Sequence, residues 1–408
     1  MVINANNLAS SLGMMLDLTQ KSSNLHVLED SSYVDYDFRK LSNHSMECSY
    51  IALELCREMS LKDDFKHRIY IFSMLHDIGI NPSNNYYVDN VKSSFILDHC
   101  KKGAAILRDF PKFNGFSDIV LYHHENIDGS GPFKLKGDTI PLESQIIRMA
   151  DLVDTIYFKN SSIASRRKII NWVSDNTNRL FSKTLVNAFL SLSKKEIFWL
   201  NLDNLSSYNF IFDDYIPTFN FDISLDEFLI ISYIFGDMID SHSSFTGTHS
   251  KGIGELAYNI SGYLNYSREK SIKMKSAGLL HDIGKLAIPK DILNKNGSLS
   301  TYEFSIIKSH AYYTYLVLNR IKGIPDICQW ASNHHEKLNG NGYPRKLTAA
   351  NLSFECRIIA VCDIYQALKE DRPYKKGLPN DEIFKILYDL GNNNSLCPKA
   401  IETLKKSL

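Results

Sequence analysis

Histidine and aspartate side chains that could bind metal ions occur twice in this chain, in the same order and at nearly the same spacing. Ten of the 13 histidines form two groups of five, and in each group aspartate directly follows the second histidine. A further aspartate follows each group, and matched positions lie 205 to 212 residues apart, which predicts an internal duplication. The first set is His44, His76, Asp77, His99, His123, His124 and Asp151, and the second is His249, His281, Asp282, His310, His334, His335 and Asp363.

Imidazole and carboxylate groups together are typical ligands of iron, manganese, zinc, cobalt or nickel. Seven such side chains exceed the needs of one ion, which takes about four to six ligands, some of them water. Two ions that share a carboxylate therefore fit each set better than one. Two ions about 3.5 to 4 Å apart commonly support in-line displacement at phosphorus, because one activates water and both neutralise developing charge. The second set therefore predicts a centre for phosphodiester chemistry.

Cationic and loop residues close to the second set could bind a phosphate group. Lys285 lies four residues after His281 on a predicted helix, and hence on the same helix face. The two glycines and the proline of residues 339–344 predict a tight loop with exposed backbone beside the paired histidines. Arg372 and Lys375 add positive charge after the last aspartate. The alternative explanations are an exposed helix lysine, an ordinary turn and a solvated helix end.

The second half of the chain resembles the HD-GYP family of bacterial cyclic dinucleotide phosphodiesterases. The resemblance spans about residues 225 to 400 and is carried by two motifs. These are His281-Asp282-Ile-Gly-Lys285, and His334-His335-Glu336 followed by Asn339-Gly340-x-Gly342-Tyr343-Pro344. It implies an enzyme that hydrolyses a 3′-5′ bond of 3′,3′-cGAMP or cyclic di-GMP to give the linear dinucleotide, with Asp282 and Lys285 as catalytic residues.

The resemblance also implies the composition of the site. It implies two divalent transition-metal ions, iron or manganese first, with nickel, cobalt and zinc as alternatives. Family members with a third ion carry glutamate four residues before the first histidine, where this chain has Phe245. One ion would bind His249, His281 and Asp363, and the other His310, His334 and His335, with Asp282 bridging. Substrate contacts would come from Lys285, Asn339, Gly342, Tyr343, Arg372 and Lys375.

The first set keeps all seven ligand types but lacks the phosphate-binding residues. Ile80 stands at the position of the lysine, and residues 128–133 read Asp-Gly-Ser-Gly-Pro-Phe at the position of the glycine-rich loop. We therefore expect a degenerate HD domain at residues 1–205, packed on a catalytic HD-GYP domain at residues 206–408. This arrangement is similar to that of bacterial 3′,3′-cGAMP phosphodiesterases. The residues do not decide whether the first set holds metal.

Helices must position these ligands, because apolar residues recur at three- and four-residue spacing almost throughout the chain. An all-α fold of two tandem HD-type helical domains follows. Ser300 and Glu303 predict a capping box at the start of one helix. The predicted helices span residues 44–58, 91–108, 142–157, 225–241, 249–264, 300–320 and 350–368.

Composition excludes several classes of protein. Lys+Arg and Asp+Glu are both 46, so the net charge is zero, whereas proteins that bind long nucleic acid normally carry a basic excess. The longest apolar run, residues 228–235, is too short to cross a bilayer, and no signal peptide is evident. Seven scattered cysteines without a C-x-x-C pair indicate reduced thiols. We expect a cytoplasmic protein with no membrane or long nucleic-acid partner.

Two other functions remain open beside the phosphodiesterase. One is a receptor that binds a cyclic dinucleotide or a protein partner without turnover. The other is a different HD phosphohydrolase acting on nucleoside phosphates, which commonly uses one ion, so His310, His334 and His335 argue against it. The sequence does not distinguish 3′,3′-cGAMP from cyclic di-GMP, because both have the same backbone. A homodimer and a signalling-protein partner are also left open.

Overall fold

A computed structural model describes residues 2–23, 43–80, 93–158, 163–205, 210–217, 222–242, 248–371 and 376–408. The chain divides into two compact units, which we call the first unit (residues 8–221) and the second unit (residues 1–7 and 222–408). Helices make up nearly all of the described secondary structure, so the predicted all-α class is confirmed. Among the described residues, no helix combines the length and the apolar character that crossing a membrane requires.

The first unit is organised around helix α2, which packs against α3, α6, α8 and α9 and is buried along most of its length. Two short 3-10 turns, Asn114–Phe116 and Gly137–Thr139, connect neighbouring helices. The described helices are α1 (Ala5–Ser23), α2 (His44–Glu58), α3 (Asp63–Leu75), α4 (Ser93–Asp109), α5 (Ser117–Leu121), α6 (Leu142–Phe158), α7 (Ile163–Asp175), α8 (Lys183–Leu192), α9 (Glu196–Asn204) and α10 (Phe210–Asp213).

The second unit repeats this plan around helix α12, which packs against α11, α13, α17 and α19. A 3-10 turn, Ile283–Ala287, follows α13 directly. The described elements are β1 (Val2–Asn4), β2 (Asp222–Ser224), α11 (Leu225–His242), α12 (His249–Tyr263), α13 (Arg268–Leu280), α14 (Lys290–Leu293), α15 (Thr301–Asn319), α16 (Pro325–Ser332), α17 (Phe354–Lys369), α18 (Asn380–Asn392) and α19 (Pro398–Ser407).

The division between the units differs from the expected boundary after residue 205. The main division falls after residue 221, and residues 1–7 belong to the second unit. The reason is a short antiparallel pairing of β1 with β2, in which Ile3 lies opposite Ile223 and both side chains are fully buried. A three-residue strand has too few residues for a period-two pattern to be recognised in the sequence.

The predicted helix spans agree with the structure at most ends. Six of the seven begin and end within two residues of the observed helix. The capping box is present, because Ser300 Oγ accepts from the Glu303 amide and Glu303 Oε2 accepts from the Ser300 amide. The last predicted helix begins four residues later than expected, at residue 354, because Ser353 caps it by accepting from the Cys356 amide.

Candidate metal centre

The second unit brings all seven side chains of the second set into one cluster. Five different helices or helix ends contribute to it, so the cluster exists only in the folded unit. Ligand atoms within three overlapping groups of these residues lie within 4.8 Å of one another. His249 comes from α12, His281 and Asp282 from the end of α13, His310 from α15, His334 and His335 from the end of α16, and Asp363 from α17.

Asp282 lies between histidines on both sides of its carboxylate. Its Oδ1 is 3.4 Å from His310 Nε2 and 3.7 Å from His334 Nε2. Its Oδ2 is 3.0 Å from His281 Nε2. Only 2% of Asp282 is exposed to solvent, and His281 is fully buried. One carboxylate therefore faces histidines from both of the predicted ion sites.

Asp363 lies at the other side of the cluster. Its Oδ1 is 3.4 Å from His249 Nε2 and 3.9 Å from His281 Nε2. Its Oδ2 is 3.9 Å from His335 Nδ1. Each of the two aspartates and five histidines thus has an oxygen or nitrogen atom within 4 Å of such an atom of another member.

Hydrogen bonds fix which nitrogen of each imidazole faces the cluster. The Nδ1 atoms of His281, His310 and His334 each donate to the carbonyl oxygen three residues earlier, at 2.8, 2.6 and 2.6 Å. His249 Nδ1 donates to Glu370 Oε2 at 3.0 Å. A neutral imidazole that donates from Nδ1 carries its lone pair on Nε2, and a carboxylate partner increases its basicity as a ligand.

The charge states of His310, His334 and Asp282 suit a bound cation. Burial lowers the pKa of His310 to about 3 and holds the pKa of His334 well below its ordinary value, so both rings are neutral. Burial opposes ionisation of Asp282, but His281 and Lys285 outweigh it and hold the pKa of this carboxyl well below its usual range. Neutral His310 and His334 beside an ionised Asp282 are the form in which these groups bind metal. Burial lowers the pKa of His249, but hydrogen bonds to Asp363 and Glu370 outweigh it and raise this pKa to about 9, so metal binding there would displace a proton.

Two buried polar atoms at the middle of the cluster have no hydrogen-bond partner among the described residues. They are Asp282 Oδ1 and His281 Nε2. An unsatisfied buried acceptor costs about 1 to 3 kcal/mol, and more when it is charged. A metal ion is the partner that satisfies an imidazole lone pair and a carboxylate oxygen together. The residues present therefore fit metal binding.

The turn that carries His281 and Asp282 differs from the helix expected there. Helix α13 ends at Leu280, so the His-Asp pair lies at a helix end and Lys285 lies on the following 3-10 turn. A Cβ atom on Gly284 would lie 2.0 Å from the His310 carbonyl oxygen, so the chain approaches α15 too closely for any other residue. The Lys285 ammonium donates to Asp282 Oδ2, which keeps it beside the cluster.

Thr314 holds this turn and was not among the predicted site residues. Its hydroxyl accepts from the Gly284 amide at 3.1 Å and donates to the His281 carbonyl at 3.0 Å. The available signal is its position four residues after His310, on the same face of α15. Glu370 was not predicted either. The available signal is that it follows Asp363 by seven residues, or about two helical turns.

The loop at residues 339–344 is shaped by Glu336. This buried carboxylate accepts from the amides of Arg345 at 2.7 Å and Leu347 at 2.9 Å. A Cβ atom on Gly342 would lie 2.5 Å from Glu336 Cα, so only glycine fits there. The loop brings the Tyr343 ring to 4.7 Å from the His335 ring, at the edge of the cluster.

Of the other four predicted substrate contacts, the structure describes Asn339 and Gly342. Asn339 is exposed, and its side chain donates to the Asn393 carbonyl and accepts from the Asn341 amide, so its visible bonds hold the loop. Its assignment as a substrate contact, like that of Gly342, stays a prediction. Arg372 and Lys375 lie outside the described residues, as does Phe245.

The first unit assembles its own seven residues into a similar cluster. His44 Nε2 is 3.3 Å from His76 Nε2 and 3.6 Å from Asp151 Oδ1. His99 Nε2 is 3.3 Å from His123 Nε2 and 3.9 Å from Asp77 Oδ1. The remaining member, His124, places its Nε2 close to this second pair.

Supporting residues around the first cluster differ from those of the second. His44 Nδ1 donates to Asp154 Oδ2 at 2.7 Å, so this carboxylate takes the part that Glu370 has in the second unit. Gly103 stands four residues after His99, where the second unit has Thr314. The first cluster therefore keeps its ligand atoms but lacks the hydroxyl that holds the His-Asp turn.

Comparisons with known proteins agree with the duplicated plan. The sequence profile of the HD domain family matches residues 7–164 and 234–394, once in each unit. The 3′3′-cGAMP-specific phosphodiesterase 1 of Vibrio cholerae is 28% identical over 362 residues, covering 85% of this chain and 82% of that protein. The 3′3′-cGAMP-specific phosphodiesterase 3 of the same organism is 28% identical over 338 residues, covering 82% and 71%.

A solved structure of a cyclic GMP-AMP specific phosphodiesterase from V. cholerae has the same fold. It superposes with a TM-score of 0.70 at 20% identity, covering 100% of this chain and 98% of that one. A cyclic di-GMP phosphodiesterase of Pseudomonas aeruginosa is 36% identical over a shorter stretch of 143 residues, which is 34% of each chain. The predicted tandem arrangement of HD-type domains is confirmed.

Proposed function

This chain belongs to the HD domain family, and we propose that its second unit hydrolyses a 3′-5′ bond of a cyclic dinucleotide to give the linear dinucleotide. The observation that carries this proposal is the buried cluster of five histidines and two aspartates around an unsatisfied Asp282 oxygen. Two relatives that this chain covers over more than two thirds of their length are named 3′3′-cGAMP-specific phosphodiesterases, which favours 3′,3′-cGAMP as substrate, with cyclic di-GMP as the next candidate.

The proposed centre holds two divalent transition-metal ions, iron or manganese. His249, His281 and Asp363 would hold one ion, and His310, His334 and His335 the other. Asp282 would contribute to both, because its two oxygens face different histidines. A single-ion phosphohydrolase would leave the second group of three histidines without a role. When bound, such ions activate water and neutralise the charge that develops on the phosphoryl oxygens.

Residues at the edge of the cluster would bind and orient the substrate. The Lys285 ammonium is partly exposed, so it can donate to a phosphate oxygen while it balances the charge of Asp282. Burial raises the pKa of Tyr343, so its phenol stays protonated and is a hydrogen-bond donor. Its ring also packs against the His335 ring at the edge of the cluster.

A turnover panel tests the proposal. The purified full chain, loaded with Mn²⁺ or Fe²⁺, is incubated with 3′,3′-cGAMP, cyclic di-GMP, cyclic di-AMP and bis(p-nitrophenyl) phosphate, and products are separated by mass. We expect metal-dependent formation of the linear dinucleotide from 3′,3′-cGAMP, and none from the Asp282→Asn variant. Hydrolysis of the generic diester alone would contradict the substrate class. Turnover that survives removal of metal by a chelator would contradict the centre itself.

A further inference from the structure

An arginine lies inside the first cluster at a position where the second unit has alanine. The segment Glu143-x-x-Ile-Ile-Arg148-x-x-Asp151 matches Glu355-x-x-Ile-Ile-Ala360-x-x-Asp363 without a gap. Both segments lie on corresponding helices, α6 and α17, with the aspartate of each cluster three residues further on. Arg148 is therefore a charged residue of the first cluster at a position that is uncharged in the second unit.

The guanidinium of Arg148 contacts two of the predicted ligands. Its Nη1 donates to His124 Nδ1 at 2.7 Å and lies 3.7 Å from Asp151 Oδ2. Only 15% of the arginine side chain is exposed. In the second unit the matching atoms, His335 Nδ1 and Asp363 Oδ2, are 3.9 Å from each other, and Ala360 supplies no donor.

This hydrogen bond removes His124 from the ligand set. A guanidinium has donors but no acceptor, so His124 Nδ1 must supply the lone pair. A neutral imidazole has one lone pair only, so its other nitrogen, Nε2, carries the proton. That nitrogen lies 3.1 Å from His99 Nε2, in position to donate to it. Neither nitrogen of His124 is then available to a metal ion.

The charge of Arg148 acts in the same direction. A guanidinium stays protonated under all ordinary conditions. Its positive charge lies within hydrogen-bond distance of one of the three histidines that would surround an ion, in a buried region where like charges repel strongly. The ligand atoms of His99, Cys100, His123 and His124 lie close enough together to admit an ion. Distance alone therefore does not decide the occupancy of this half of the cluster.

We propose that Arg148 takes the place of one metal ion in the first unit. His99, His123 and His124 then hold no ion, and any metal in this unit binds to the other half, formed by His44, His76, Asp77 and Asp151. The proposal concerns metal content in the first unit, so it stands or falls independently of the substrate that the second unit hydrolyses.

Metal content of full-chain variants tests this proposal. Arg148→Met removes the guanidinium and its charge but keeps an unbranched apolar side chain, whereas Arg148→Lys keeps a positive charge. Each protein is loaded with Zn²⁺, dialysed, and measured for zinc per chain by mass spectrometry. We expect Arg148→Met to hold one ion more than the wild type and Arg148→Lys to hold the same number. His99→Ala should not change the wild-type content, but it should remove the added ion from the Arg148→Met chain.

Two results would overturn the proposal. One is an unchanged zinc content in Arg148→Met, and the other is the loss of one ion from the wild type on His99→Ala. The reciprocal variant, Ala360→Arg, should lose one ion from the second unit, with folding checked by circular dichroism. If it is folded and retains its full zinc content, the proposed effect of the arginine is wrong. If it does not fold, the Arg148 pair still decides the question.

Discussion

At the scale of single residues, Asp282 faces histidines with both of its carboxylate oxygens, and one of those oxygens is buried with no hydrogen-bond partner in the part of the chain that the structure describes. Asp363 is similarly buried, but its distances to the nearest histidines are longer. Charge at Asp282 therefore influences both halves of the cluster, and a change there affects more ligands than a change at any one histidine.

Asp282→Asn should abolish turnover while the fold survives. The substitution is nearly isosteric, but it removes the negative charge shared by the proposed ions and turns one oxygen into a donor. We expect no product above background and a lower metal content, measured by product analysis and mass spectrometry on the same sample. Near-normal activity with full metal content in this variant would contradict the two-ion assignment.

Lys285→Ala should keep metal bound yet lower kcat/KM by roughly 10- to 1000-fold, which corresponds to about 1.4 to 4 kcal/mol of charge stabilisation. The ammonium also contacts Asp282, so metal content has to be measured beside activity. Lys285→Arg, which keeps the charge, is the matched control and should lose less activity. If Lys285→Ala instead loses metal or unfolds, the lysine supports the cluster and does not act on the substrate.

At the scale of elements, the turn between α13 and α15 places two ligands through one hydroxyl, that of Thr314. Thr314→Val keeps the shape of the side chain but leaves the Gly284 amide and the His281 carbonyl unsatisfied. At about 1 to 3 kcal/mol for each of these two buried groups, we expect a loss of roughly 2 to 6 kcal/mol in the free energy of unfolding and weaker metal retention. Thr314→Ser keeps the hydroxyl and should stay within about 1 kcal/mol of the wild type. Equal stability and metal retention in both variants would show that the hydroxyl is dispensable.

The end of α11 carries a second element-scale prediction, on acid sensitivity. Burial lowers the pKa of His242 to about 4, although its Nε2 donates to the Ile288 carbonyl at 3.3 Å. Between about pH 6.5 and pH 4 the unfolded chain therefore binds more protons than the folded one, so stability present above pH 6.5 is lost as the pH falls. We expect metal-free wild type to lose about 2 to 3 kcal/mol more than His242→Leu between pH 7 and pH 4.5.

Urea unfolding at both pH values measures this difference. The two proteins should change in parallel between pH 7 and pH 8.5, where His242 is neutral in the folded and the unfolded chain, and that range is the control. An equal loss of stability in both proteins on acidification would mean that His242 is not the group responsible.

The elements also show what the sequence can and cannot predict. Helices such as α2 and α15 were predicted almost to the residue, because their apolar spacing and the Ser300 cap are local signals. The members of the two clusters were predicted because a chain that repeats seven metal-ligand residue types in order leaves little room for chance. Their role as metal ligands stays a prediction. Thr314 and Glu370 were missed, and Glu336 was named in a motif without a role, because their partners are distant in sequence or set by the backbone path, which a local pattern does not contain.

At the scale of the whole molecule, the duplication produced two clusters with the same ligands and different surroundings. The second unit has Lys285, Thr314 and Ala360 where the first has Ile80, Gly103 and Arg148. Ile80 and Gly103 leave the first unit without the proposed phosphate-binding lysine and without the supporting hydroxyl at these positions. Arg148 places a cation among the predicted ligands. The two clusters therefore share their seven residue types but differ in the side chains around them.

The first unit should therefore contribute no chemistry to turnover, and paired double variants test this. His76→Ala with Asp77→Ala should leave the metal of the second unit in place, because all the ligands of that cluster lie between residues 249 and 363. Activity should fall only modestly. The matching change, His281→Ala with Asp282→Ala, should leave no turnover above background. The two pairs occupy corresponding places in the duplicated units, so each double variant controls for the general effect of the other.

Metal content and linear product are measured on both double variants. If the His76/Asp77 variant is folded and as inactive as the His281/Asp282 variant, the first unit acts in catalysis directly. The differences at Ile80, Gly103 and Arg148 then do not remove catalysis from that unit.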